Sequence, residues 1–175
     1  NYAWFLQQMK QNPQMNAFLS LDQLVVISDR SKGLISAVAE ELPAAAHMHC
    51  ARHLVENVKS HLYAHGEARL EKEGVGFIWS AQSATSQVLF DAAIGGLRAQ
   101  NEPAARYLST IPQDHWAVHA FPKPTFGICT NNIVEQTTGS VVQACRADDI
   151  TEVISGVLKD ISETFRRHRD RSKTK

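Results

Sequence analysis

Two carboxylates, Asp29 and Glu135, stand where the chain could do chemistry. Asp29 ends the aliphatic run Leu24-Val25-Val26-Ile27-Ser28, which reads as a strand buried on both faces. In open α/β sheets ligands gather outside the carboxyl ends of the strands, so a carboxylate there reaches a metal or ligand without disturbing the sheet. Glu135 falls in the first turn of a helix that starts near Thr130-Asn131-Asn132, beyond a long helical stretch. Two-metal phosphoryl transfer needs carboxylates converging from separate elements, to hold ions about 4 Å apart. Mg2+ takes such oxygen ligands and keeps several waters. Each residue also has a local explanation: Asp29 as a turn former or helix cap, and Asn132-x-x-Glu135 as a capping box.

A second constellation is His47-x-x-Cys50-x-x-His53. Residues at i and i+3 share a helix face, so Cys50 and His53 could reach one zinc ion. A structural zinc takes four ligands, and Cys129, Cys145 or another histidine would have to complete the set. The alternative is packing and hydrogen bonding. Histidine is abundant here, with eight in all and His47, His49, His53 and His61 close together. A third feature is the basic tail, Arg166, Arg167, Arg169, Arg171, Lys173 and Lys175 around the single Asp170. It suits phosphates, or is a solvated helix end.

The elements that must position these groups follow from periodicity. Tyr2, Phe5, Leu6 and Met9 recur at helical spacing, with Trp4 beside them as core, and Asn12-Pro13 ends that helix. After the 24–28 strand, Ser31 or Asp29 caps a helix over 32–41 with Leu34, Ile35, Val38 and Ala39 inward, closed by Leu42-Pro43. Residues 45–49 form a next strand of poor propensity. From Cys50 the pattern turns helical: 50–64 first, then a break at Gly66, Gly74 and Gly76. A helix from Phe77 to Phe90 follows, extended or succeeded by 94–99, and another lies over 102–111. Residues 115–129, aromatic with two prolines, read as an extended return. Ile150, Val153, Ile154, Val157, Leu158, Ile161 and Phe165 mark a last amphipathic helix, with Asp149 and Glu152 as its capping box. Strand-helix-strand followed by a helical block suggests an α/β core interrupted by an α insertion.

The bulk numbers bound the class. With 175 residues, 43% of them hydrophobic, the chain can bury a core as one domain or one domain with an insertion. Zero net charge removes any global pull toward nucleic acid, so such contacts must be local. No apolar run approaches the roughly 20 residues that span a membrane. Three cysteines argue against a disulfide framework. Starting without Met inside an amphipathic pattern, the chain reads as a piece of a longer protein.

Several short motifs, in order, resemble the catalytic domain of Mutator-like element (MULE) transposases. They are Trp4-Phe5-Leu6; Ile27-Ser28-Asp29-Arg30 with Lys32-Gly33-Leu34 and Ala37-Val38; and Leu42-Pro43-x-Ala45 with His47-x-x-Cys50-x-x-His53-Leu54-x-x-Asn57. Tyr107-Leu108, Trp116-Ala117, Phe121-Pro122 and Thr130-Asn131-Asn132-Ile133-Val134-Glu135 complete the series. The resemblance implies a ribonuclease-H-like core, truncated at its N-terminus, over 1–49 and 113–175, interrupted by an all-α insertion over 50–112. It implies an Asp-Asp-Glu site binding two Mg2+ or Mn2+ ions, with Asp29 the second acid and Glu135 the third. Cys50 and His53 would be the insertion motif, structural or organising the DNA end, with zinc open to them. The implied activity is strand cleavage and transfer at transposon ends. The partners are double-stranded DNA, as terminal repeats and target, and no membrane; the protein would be nuclear, with a homo-oligomer open.

Two departures stand against the family pattern. The first catalytic Asp has no counterpart here, so the fragment by itself is expected to be inactive. After Glu135 come Gln136-Thr137-Thr138-Gly139 rather than an apolar residue and Asn, which weakens the helix that must aim Glu135. That points to a decaying or domesticated copy. The rival reading is therefore a domesticated, catalytically inactive regulator that binds DNA, and a third is a plain α/β interaction domain.

Overall fold

The computed structural model describes residues 2–131. Glu135, Cys145, the 150–165 helix and the basic tail lie outside the described residues.

The first half of the described chain is a βαβ unit preceded by two helices. Helix α1 (Tyr2–Gln11) ends where expected, but Asn12 at once starts a second helix, α2 (Pro13–Leu19). Asn12 Oδ1 accepts from the backbone N–H groups of Gln14 and Met15, and Pro13 takes the first helical position, where no N–H is needed. Strand β1 (Val25–Ser28) leads to α3 (Lys32–Glu41), capped by Ser31, whose Oγ accepts from Leu34 N at 3.4 Å. Strand β2 (Ala46–His49) returns parallel to β1, with Val25 beside Ala46 and Ser28 beside His49. Among the described residues the sheet has these two strands, so Val25, Val26 and Ile27 are half-buried rather than enclosed on both faces.

One face of the pair packs Val26 with Leu19, Leu24, Val38 and Leu42, against which Leu6 and Met9 of α1 sit. Helix α1 is pinned to α3 by Glu41, which takes hydrogen bonds from Gln7 and Lys10. Trp4 and Phe5 are not core, as the sequence suggested: they are 60% and 55% exposed, because α1 turns Leu6 and Met9 inward instead. Within α3 the buried residues are Ala37 and Val38, while Ala39 faces out. Lys123 closes the opposite end of the strands. Its ammonium donates to the main-chain carbonyls of Asp22, Leu24 and Ala44.

The second half is helical: α4 (Ala51–Ala64), α5 (Lys72–Ser83), α6 (Gln87–Gln100) and α7 (Glu102–Ser109). Their core holds Leu54, Val58, Leu62, Ile78, Leu97 and Leu108 and runs on to Trp116 and Ala117. Three sequence expectations fail here for physical reasons. Gly74 and Gly76 do not break a helix; both lie inside α5. A Cβ on Gly74 would collide with Leu70 and Gln100, so the missing side chain makes room for neighbours. Nor is 77–90 one helix. Ser86 caps a new one, its Oγ accepting from Leu89 N, and Ala84 adopts an extended backbone. Residues 115–129 are not extended either. A short 3-10 turn (Gln113–His115) and further turns carry the chain past Trp116, whose indole N–H donates to Ile111 O at 3.4 Å.

Helices α5 and α6 meet closely at Gly96, where a Cβ would strike the Phe77 ring, whereas Gly95 faces open space. Adjacent substitutions should therefore differ in sign. Gly95→Ala is expected to stabilise by about 0.5–1 kcal/mol through helix propensity. Gly96→Ala should destabilise by about 1–2 kcal/mol through overpacking, both read from denaturant midpoints.

Candidate functional site at the carboxyl ends of the strands

The β1–β2 register decides what meets at this edge. Cys50 N donates to Ser28 O at 2.7 Å, so both strands leave the sheet at the same level. Asp29 departs from β1 there and Cys50 from β2. Asp29 is half-buried, and among the described residues its carboxylate accepts no hydrogen bond and forms no salt bridge.

Side chains two apart on a strand share a face, which sets His47 and His49 together on β2. Their rings meet edge to face with centroids 5.7 Å apart, and His115 stacks on His49 at 5.3 Å. His115 comes from the turn after α7, and its Nδ1–H donates to the His47 carbonyl at 3.2 Å. Ser28 Oγ lies 2.7 Å from His47 Nε2 and donates to the Asp29 carbonyl at 2.8 Å.

Burial, first of all, pushes His49 down to about 4; nearby His115, Arg30 and His47 push it the same way. His47 is lowered too, by burial and then by His115, with Asp29 opposing. Both are neutral imidazoles at pH 7, so the edge presents acceptors and dipoles rather than a cationic patch.

Arg30 reaches away from this edge. Its Nη1 donates to the Tyr107 hydroxyl on α7 at 3.0 Å. The Tyr107 ring stacks on His61 of α4 with centroids 4.3 Å apart, and His61 in turn meets His65 at 4.1 Å. One residue past Asp29, the chain is thus tied to two helices of the second half.

Cys50 is 1% exposed and occupies the N-cap of α4 without a side-chain capping bond; His53 lies in the first turn of the helix, half-buried. The next N–H, that of Ala51, donates to the Cys129 carbonyl at 3.0 Å. Burial raises the Cys129 thiol, nearby Cys50 raises it further, and the Gln82 amide opposes both. Neither cysteine is in a disulfide, and among the described residues no three His, Cys, Asp or Glu side chains converge as a metal-binding group.

Asp29 therefore stands at a strand end, as the sequence suggested, and Cys50 and His53 open α4. His47 sits on the strand rather than on their helix. The sequence reading named Tyr107 only within a family motif, quoted His115 only as part of an extended return, and gave Ser28 no role. The i, i+2 pair of histidines on a strand was a usable signal for His49. Nothing local places His115 or Tyr107 at this edge; they arrive through the tertiary fold.

Residues 1–57 match the family model of the MULE transposase domain, a stretch that runs from α1 into α4 and holds Asp29, Cys50 and His53. This part of the chain, about a third of it, is similar to that family and relates the protein to transposases. No curated protein and no solved structure matches the chain.

A histidine held neutral in the fold ties stability to pH with a definite sign. Unfolded, His49 titrates near 6.5; folded, near 4. Its contribution is complete above about pH 6.5 and is lost as pH falls toward 4, because the unfolded chain binds the extra proton. The parent should lose about 2–3 kcal/mol over that window, and His49→Gln should flatten the slope, measured by urea unfolding at several pH values.

Proposed function

We propose that this chain is part of the catalytic domain of a Mutator-like DNA transposase, with a ribonuclease-H-like core and a helical insertion over 50–112. Asp29 and Glu135 serve as the second and third acids of an Asp-Asp-Glu set. The observation that carries this reading is the position of Asp29. It follows the first strand of a parallel βαβ unit, inside the segment that resembles the MULE domain. Sites in α/β folds gather at that edge.

The residues present fit a hard divalent ion such as Mg2+ or Mn2+. Asp29 offers carboxylate oxygens that no described side chain consumes. Asp29 and Glu135 would hold the ions, whose chemistry would be to activate the attacking water or 3′-hydroxyl and to stabilise the leaving 3′ oxygen. The chain's own part is to hold and aim the acids. Asp29 is fixed by the sheet behind it and by the Ser28 hydroxyl on its carbonyl. Arg30 is committed to Tyr107, so the exposed Lys32 is the cation that would face a DNA phosphate. Double-stranded DNA, as transposon ends and target, is the partner, and the nucleus is where it would act. Cys50 and His53 organise the start of the helical block, since Cys50 is buried where β2 passes into α4.

The test is Mn2+-dependent nicking of transposon-end DNA by the full-length protein. Asp29→Ala and Glu135→Ala should each reduce it by more than about a hundredfold, since an acid that holds the ions is lost. Equal nicking by the parent and both variants would overturn the catalytic reading and favour a DNA-binding regulator. For Cys50 and His53, metal analysis of purified protein decides between packing and zinc: the packing role predicts no stoichiometric zinc.

A further inference from the structure

We propose that His47 is a positioning residue: acting through the Ser28 hydroxyl, it fixes the Asp29 peptide and so the direction in which the Asp29 carboxylate leaves the sheet. The inference rests on the reading of Asp29 as a metal ligand.

Ser28 is 7% exposed, and its hydroxyl has a single hydrogen and two lone pairs. Two groups lie in bonding range: the Asp29 carbonyl at 2.8 Å and His47 Nε2 at 2.7 Å. A carbonyl can only accept, so the hydroxyl hydrogen goes to Asp29. The 2.7 Å contact is then a bond only if Nε2 carries a hydrogen and donates to Oγ. The pair of distances thus assigns one tautomer to His47, with its hydrogen on Nε2, and a chain of bonds running His47 to Ser28 to Asp29. The alternative, with Ser28 donating to the ring, leaves two oxygens facing each other at 2.8 Å with no hydrogen between them.

His47 is itself held. Its carbonyl accepts from His115 Nδ1–H, and its ring meets that of His49. The imidazole is neutral at pH 7, so a single tautomer is available to be selected. The relay therefore reaches from the turn after α7, through β2, to the peptide of the acid on β1. It acts on the backbone beside Asp29 and leaves both carboxylate oxygens open.

A long-range 1H–15N correlation spectrum of the 175-residue chain at neutral pH reads the tautomer directly. His47 should appear with its hydrogen on Nε2, and Ser28→Ala should leave a mixture. An Nδ1–H ring in the parent overturns the proposal. Mn2+ alone is then titrated while the broadening of the Asp29 amide resonance is followed. Ser28→Ala and His47→Ala should need about tenfold more Mn2+ for half-broadening. His47→Gln, whose amide N–H lies near the Nε2 position, should restore most of the loss. Unchanged Mn2+ dependence in both alanine variants, with broadening lost in Asp29→Asn, overturns the relay and keeps Asp29 as ligand. Broadening absent from the parent, or undiminished in Asp29→Asn, overturns the ligand reading itself.

Discussion

The parallel pairing of β1 with β2 is the constraint on which the candidate site depends. Four residue pairs set the register, from Val25 beside Ala46 to Ser28 beside His49. A slip of one residue would send each side chain of the moved strand to the opposite face. His47 and His49 would turn together to the other face, and Ser28 would lose its contact with His47. The register is held by burial, since Ala46 and Met48 must face Phe121 while Val26 faces α1 and α3. A short sheet thus carries a large share of the positional information.

The helical half contributes by gripping what the strands present. Arg30, Tyr107 and His61 form one continuous contact from the β1–α3 turn onto α7 and α4. His115 reaches back from beyond α7 to β2. Neither contact is a surface ion pair. The first joins a part-buried hydrogen bond to a ring stack, and the second is an exposed directional hydrogen bond. At His47, burial outweighs the opposing pull of Asp29 and lowers the imidazole pKa.

The strands and helices that follow strong apolar periodicity were legible in the sequence. The 24–28 run, the Ser31 cap and the Leu54, Val58, Leu62 stripe all mark real elements. Legibility failed where tertiary packing overrides local preference. Gly74 reads as a breaker yet makes room for Leu70 and Gln100 inside α5. Trp4 and Phe5 read as core yet face solvent, because burial depends on which face of α1 meets α3. At the site, Asp29 at a strand end was visible from the residues, whereas His115 and Tyr107 were not. Their places are fixed by contacts across 68 and 77 positions of chain.

Lys123 carries a consequence for how the protein is made. Its ammonium holds the carbonyls of residues 22, 24 and 44, which lie 101, 99 and 79 positions earlier in the chain. A chain emerging from the ribosome exposes its N-terminal βαβ unit long before that cation is available. Leu24 O already accepts from Ala46 N within the unit, but the Asp22 and Ala44 carbonyls lack this donor while four helices are synthesised. The amino end of the unit is therefore closed late in synthesis.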